Sequence, residues 1–203
     1  ARITLKNCFY YGERFLEQIE FADGTVWELE ELKQKVRNYI GTEGDDVLTG
    51  QNNDYGVAYQ DDYMYGGAGN DTLSGNNGDD EVYGGEGNDT LSGGNGNDIV
   101  DGGSGNDVLS GNNGDDELTG GTGDDVIAGG YGSDTYIYNL GDGDDVIEEE
   151  GGELDRLVFG EGIRPEDLKV TRDYWNMYIT NEETGARITL KNCFYYGERF
   201  LEQ

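Results

Sequence analysis

The sequence predicts an all-β fold: a stack of 18-residue coils around a narrow apolar core, with a small flank of mixed β/α structure at each end. Three observations point there. The middle of the chain repeats with a period of nine residues, the repeats keep Gly, Asp and an apolar residue at constant positions, and the basic residues are confined to the two ends.

The repeat is the element to establish first. From Gly66 the chain divides into eight consecutive nonamers, GGAGNDTLS, GNNGDDEVY, GGEGNDTLS, GGNGNDIVD, GGSGNDVLS, GNNGDDELT, GGTGDDVIA and GGYGSDTYI. The first and fourth positions are always Gly. The sixth is always Asp: Asp71, Asp80, Asp89, Asp98, Asp107, Asp116, Asp125 and Asp134. The eighth is apolar or aromatic: Leu73, Val82, Leu91, Val100, Leu109, Leu118, Ile127 and Tyr136. Upstream, GTEGDDVLT adds Asp46 and Leu48, and a nonamer with an insertion adds Asp62 and Met64. Downstream, LGDGDDVI adds Asp145 and Ile147. Glycine permits the positive φ that a six-residue turn requires. The last three residues of each nonamer then form a short strand whose middle side chain points inward.

One turn and one strand bury nothing alone. Two nonamers make an 18-residue coil, and stacked coils share a core. The superperiod is visible, since GGAGNDTLS, GGEGNDTLS and GGSGNDVLS start at 66, 84 and 102 while GNNGDD turns start at 75 and 111. Stacking places sixth-position aspartates n and n+2 about 5 Å apart. At an effective dielectric of about 20, two carboxylates at that spacing repel by roughly 3 kcal/mol. A cation between the rungs removes the conflict. Carboxylate and carbonyl oxygens in Gly-rich turns suit calcium, which accepts six to eight oxygen ligands at irregular geometry, better than magnesium with its tight octahedron. The repeats contain neither His nor Cys, which disfavours zinc and copper.

Charge and composition exclude other classes. The 203 residues hold 44 Asp+Glu against 13 Lys+Arg, a formal net charge of −31, with 36 Gly, one Pro and no His. Nucleic acid and anionic membranes are poor partners for such a chain. Without His there is no zinc-protease helix motif and no Ser/His/Asp or Cys/His triad. No apolar run is long enough to cross a bilayer, and no signal peptide is expected at the start. From 38 to 155 there are 29 acidic residues and no Lys or Arg. The expected organisation is therefore a flank at 1–40, the repeats at 41–147 and a second flank at 148–203.

The nonamers resemble the RTX family, the haemolysin-type calcium-binding nonapeptide repeats of secreted bacterial proteins, whose pattern is G-G-x-G-x-D-x-U-x with U a large apolar residue. The resemblance implies a parallel β-roll, a right-handed β-helix, in which each Ca²⁺ lies between turns n and n+2. It implies Asp46, Asp62, Asp71, Asp80, Asp89, Asp98, Asp107, Asp116, Asp125, Asp134 and Asp145 as metal ligands, together with turn carbonyls. About six to nine calcium ions would fill the gaps. Departures are Asn76, Asn112 and Thr42 at the second Gly position and Gln60 at the fourth, in the Asp62 turn. The resemblance further implies a secreted protein, exported by type I secretion, that folds in extracellular calcium. Its use would be as a tandem adhesin or spacer unit, or as the receptor-binding or secretion-assisting region of a toxin or enzyme.

The two ends are identical: ARITLKNCFYYGERFLEQ occupies both 1–18 and 186–203. This reads as a segment of a tandem array with a period of 185 residues, or as a deliberately duplicated end. Read across the junction, the flank is similar to the haemolysin-type calcium-binding related region. Leu168, Val170, Trp175, Met177 and Ile179 alternate with polar residues as strands do, as do Ile188 and Leu190. NEETG at 181–185 reads as a turn, 22–25 as a hairpin turn, and Leu29, Leu32, Val36 and Ile40 as one helix face. These flanks are expected to cap the roll, with the FYY triplets as an alternative ligand face. They are also expected to dock head to tail with other copies. Cys8 and Cys193 are expected to be buried free thiols. No catalytic domain is expected within this length, and third positions such as Glu86 and Tyr131 spoil the flat ladder that ice binding would need.

Overall fold

The structure, a computed structural model, describes residues 18–20, 26–28, 38–50, 61–148 and 155–193. The turn expected at 22–25, Leu29, Leu32, Val36, Cys8 and both FYY triplets lie outside these residues.

Consecutive nonamers alternate between two sheets, so each strand pairs with the one two repeats away. The first sheet contains β3 (Asn38–Ile40), β5 (Tyr63–Ala68), β7 (Glu81–Glu86), β9 (Ile99–Ser104), β11 (Glu117–Thr122), β13 (Thr135–Tyr138) and β15 (Arg156–Phe159), in that order. The second runs β4 (Val47–Thr49), β6 (Thr72–Asn77), β8 (Thr90–Asn95), β10 (Val108–Asn113), β12 (Val126–Tyr131) and β14 (Asp145–Glu148). It continues into β18 (Arg187–Lys191), β17 (Met177–Asn181) and β16 (Leu168–Arg172). Roll pairings are parallel and hold the repeat register, as in Leu73 opposite Leu91 and Leu91 opposite Leu109. The result is a parallel β-roll.

Eighth-position side chains build the core. Met64, Leu73, Val82, Leu91, Val100, Leu109, Leu118, Ile127, Tyr136 and Ile147 are all buried in one cluster. Leu48 packs against it, half-buried, at the first rung. The repeat strands are longer than the expected three residues. Most span six, because ladder pairing resumes beyond the first-position glycine, for example Asn76 opposite Gly94 and Asn77 opposite Asn95. That glycine is buried, so each strand turns two side-chain positions inward rather than one.

The ends use the same ladders. Tyr39 in β3 packs against the core, and Ile40, placed on a helix face by the sequence pattern, is instead an exposed strand residue paired with Tyr65. Strand pairing to β5 and outward orientation outweigh the helical spacing there. At the other end, β18 pairs parallel with β14 and antiparallel with β17, and β17 pairs antiparallel with β16. Ile188 enters the core, with Ile179, Leu190, Leu157 and Phe159 packed beside it. Trp175, expected in a strand, sits in the β16–β17 turn, where Asp173 accepts hydrogen bonds from the amides of Trp175 and Asn176. The 181–185 turn forms as expected, with the Gly185 amide donating to the Asn181 carbonyl. Cys193 is free and half-buried, its Sγ 3.1 Å from the Leu190 carbonyl. The first two strands, β1 (Gln18–Glu20) and β2 (Val26–Glu28), pair antiparallel with Ile19 opposite Trp27.

Candidate metal centre

The sixth-position aspartates form two inward ladders, one per row of turns. Asp71, Asp80, Asp89, Asp98, Asp107, Asp125 and Asp134 are each 1% exposed and Asp116 is 2%. From Asp71 to Asp145 one carboxylate oxygen of each rung has a defined task. Asp89 Oδ1 accepts from the Asp71 amide at 2.7 Å, Asp107 Oδ1 from Asp89 at 2.7 Å, and Asp125 Oδ1 from Asp107 at 2.8 Å. The opposite row repeats this, with the Asp62, Asp80, Asp98 and Asp116 amides donating to Asp80, Asp98, Asp116 and Asp134. Each aspartate thus staples its turn to the turn before it.

The other oxygen has no such partner. Oδ2 of Asp71, Asp80, Asp89, Asp98, Asp107, Asp116, Asp125 and Asp134 is fully buried without a hydrogen-bond donor. A buried, unsatisfied carboxylate oxygen is costly, far more so than a neutral group. These oxygens converge on the first-position glycines. A Cβ placed on Gly84 would lie 2.3 Å from Asp89 Oδ2 and 2.6 Å from the Gly102 carbonyl oxygen, and one on Gly75 2.2 Å from Asp80 Oδ2 and 2.6 Å from the Gly93 oxygen. The first glycine is therefore demanded by oxygen crowding, not by a positive φ. The second and fourth glycines, such as Gly85 at φ 116° and Gly87 at φ 131°, do need the left-handed region. Asn76 and Asn112 occupy it at 76° and 78°, which Asn tolerates better than other side chains.

From Asp80 to Asp145 burial pushes the sixth-position carboxyls up, opposed by the amide donated to each and reinforced by neighbouring carboxylates. Asp80 and Asp116 rise to about 6, and Asp98, Asp107, Asp125 and Asp145 to about 7. Asp89 and Asp134 are raised for the same reasons. Among the described residues no three acidic, Cys or His side chains converge on one point. The turns instead offer single carboxylate oxygens beside backbone carbonyls. That all-oxygen set, with its lone pairs unanswered, fits a calcium ion.

The ends of the ladders differ. Asp46 is half-buried, and its Oδ2 accepts from the Thr42 amide at 2.6 Å and hydroxyl at 2.8 Å. The Thr that breaks the glycine pattern supplies protein donors to that carboxylate. At the Asp62 turn, with Gln60 in place of the fourth glycine, Asp62 is 3% exposed, and a Cβ on Gly50 would meet its Oδ2 at 2.6 Å and the Gly75 oxygen at 2.3 Å. Asp155 extends the second ladder by accepting from the Asp134 amide at 3.0 Å. Sequence reasoning missed it because Glu150 and Glu153 stand where the first and fourth glycines of a repeat belong, although Arg156-Leu157-Val158 keeps the apolar spacing.

A second ladder went unread in the sequence. Fifth-position side chains, nearly all Asn or Asp, run in the opposite direction: Asn70 Oδ1 accepts from the Asn88 amide, Asn88 from Asn106, and Asn106 from Asp124. Asp61, Asp79, Asn97 and Asp115 do the same on the other row. The signal was present, since the fifth position is Asn, Asp or Ser in all eight nonamers.

The RTX calcium-binding nonapeptide repeat model matches in four copies, at 38–54, 59–91, 74–109 and 110–147, together just over half of the chain. The chain belongs to the RTX family. Its repeats are calcium-binding structural modules of a kind typical of secreted proteins. The haemolysin-type calcium binding protein related domain matches residues 2–31 of this RTX chain. No curated protein sequence matches it. Among solved structures it is similar to the extracellular lipase LipA from Serratia marcescens, at 18% identity and a TM-score of 0.31. That match covers 76% of this chain and 38% of the lipase, so the chain spans well under half of the lipase.

Proposed function

We propose that this chain is a calcium-folded structural unit of a large secreted bacterial protein, unfolded at low calcium and assembled into the roll outside the cell. The observation that carries this reading is the double column of buried, donorless Oδ2 atoms from Asp71 to Asp134. Calcium would be held by Asp62, Asp71, Asp80, Asp89, Asp98, Asp107, Asp116, Asp125, Asp134 and Asp145, with first-position carbonyls such as those of Gly84 and Gly102 close by. Asp46 is the weakest member, because Thr42 already satisfies it. About six to nine ions fit the gaps between turns n and n+2.

The chemistry is charge neutralisation. Bound calcium supplies the positive charge that the repeats lack, and the chain's own residues do the rest. Oδ1 of each aspartate fixes the register through the neighbouring amide, Oδ2 and the carbonyls point inward, and the bare first glycine keeps the space open. Because ligand geometry exists only in the folded turns, binding and folding are one equilibrium. Extracellular modules bind calcium at about 10⁻⁴–10⁻³ M, so export at low calcium and folding outside follow from concentration alone. We assign the flanks 1–40 and 148–203 as end caps that join successive units head to tail, which suits an adhesin or spacer role.

A calcium titration of metal-free protein, followed by far-UV circular dichroism with magnesium as control, tests this. A cooperative rise in β signal at sub-millimolar to millimolar calcium, absent with magnesium, is expected. A flat response would remove the aspartate ladders as sites.

A further inference from the structure

The slot that β18 fills has a second claimant in the same sequence. β18 lies between β14 on one side and β17 on the other, with Ile188 opposite Asp145 and Ile179. Ile188 is 2% exposed and closes the end of the core. Lys191 pairs with Glu148, the Arg187 amide donates to Asp144 Oδ1 at 2.9 Å, and the Arg187 guanidinium lies over the Tyr178 ring. The Asn192 amide donates to Asn176 Oδ1. Residues 186–203 recur without a mismatch at 1–18, so Arg2, Ile3, Leu5, Lys6 and Asn7 carry the same side chains at the same spacing as Arg187, Ile188, Leu190, Lys191 and Asn192.

We propose that the slot between β14 and β17 is a docking site for the N-terminal segment, residues 1–7, of a second copy. This rests on the reading of the flanks as head-to-tail caps and names the contact. Two identical strands make identical contacts in one slot, so the choice between them is set by concentration. The chain's own strand is tethered to β17 through the 181–185 turn, at an effective concentration on the order of millimolar. It therefore wins in dilute solution. Weakening it alone hands the slot to the incoming strand. The contact is heterologous, with donor and acceptor on different elements, so it propagates from copy to copy.

The test uses the full chain in saturating calcium and reads mass by sedimentation velocity at tens of micromolar. Ile188→Asp places a carboxylate in the core position of the tethered strand only. It is expected to shift the protein from monomer to dimers and longer species, and Ile3→Asp combined with Ile188→Asp is expected to restore the monomer. Ile3→Asp alone should sediment as the unaltered chain. A fluorescent peptide of residues 1–18 should bind the Ile188→Asp chain at least tenfold more tightly than the same peptide carrying Ile3→Asp.

The proposal is overturned if Ile188→Asp stays monomeric and binds both peptides equally, or if the double variant associates as strongly as the single one. A monomeric Ile188→Asp chain whose thermal midpoint drops only when Ile3→Asp is added would also overturn it, since the chain's own N-terminus would then be the occupant. The same variants are followed by circular dichroism in calcium. Loss of the calcium-driven β signal in the unaltered chain would sink the calcium-folding reading, whereas a normal transition without association sinks only the docking site.

Discussion

Aspartates in the roll and in the terminal hairpin face opposite situations. In the β16–β17 turn, Asp173 accepts from the Trp175 amide, the Asn176 amide and the Tyr178 hydroxyl at 2.8, 2.7 and 2.6 Å. Those donors, the Tyr178 hydroxyl foremost, hold its carboxyl down at about 2. In the roll, Asp98 is buried, accepts one amide, that of Asp80, and is pushed up to about 7. The hairpin answers its own charge with protein donors. From Asp71 to Asp134 the roll leaves one oxygen per rung unanswered, and from 38 to 155 it has no Lys or Arg to answer it. A region that cannot neutralise itself becomes dependent on solution conditions, and under the proposed function that dependence is the switch.

The largest expected effect is removal of calcium. Chelation should abolish the roll's β signal in circular dichroism while adding magnesium restores none of it. If the hairpin and the roll respond equally to magnesium, the contrast between them is lost.

Next comes pH, which the two regions should feel with opposite sign. Asp80 is raised from 3.8 to about 6, and Asp98, Asp107 and Asp125 to about 7, so the metal-free fold binds more protons than the unfolded chain between those values. Its stability is fully present below about 3.8 and is lost as pH rises through about 6–7. Metal-free protein should therefore gain β signal on acidification from pH 7.5 to 4, and the calcium midpoint should rise over the same range as ligands protonate. The Asp173 contribution is present above 3.8 and fades as pH falls through about 2. A metal-free chain that loses structure on going from pH 7.5 to 4 would contradict the raised roll carboxyls.

Single substitutions sharpen the contrast further. Gly84→Ala forces a Cβ to 2.3 Å from Asp89 Oδ2 and 2.6 Å from the Gly102 oxygen, whereas a Cβ on Gly44 meets nothing within 4 Å. Overpacking of this kind costs about 1–3 kcal/mol or more, so Gly84→Ala should raise the calcium midpoint several-fold and Gly44→Ala should leave it near the original. Asp98→Asn, in mid-ladder, should raise the midpoint by about tenfold, since it removes a charge bordering two gaps. Asp46→Asn should change it less than twofold, because Thr42 already serves that carboxylate. Equal effects of Asp98→Asn and Asp46→Asn in a calcium titration would mean that burial and donors do not distinguish the rungs. The smallest effect belongs to Asp173→Asn, which should lower the thermal midpoint slightly and leave the calcium midpoint unchanged.

Much of this was legible in order along the chain. Invariant Asp at position six and an apolar residue at position eight, nine residues apart, determined the two inward columns, because a strand side chain can face only one of two sides. The absence of bases between 38 and 155 determined that the columns need an external cation. Three things came only from the tertiary structure. The first glycine's role is the close approach of Gly84 to the Gly102 oxygen, 18 residues further on, with Asp89 Oδ2 beside it, and no local backbone rule reports it. The opposed directions of the fifth- and sixth-position ladders depend on which neighbouring turn each carboxylate or amide reaches. Ile40 and Asp155 were assigned by pairing partners remote in sequence, Tyr65 and Asp134, where local spacing pointed elsewhere or was silent. Periodicity is a local property that sequence carries in full. Contacts between turns are not local, and they decide which oxygens are satisfied and which are left without a donor.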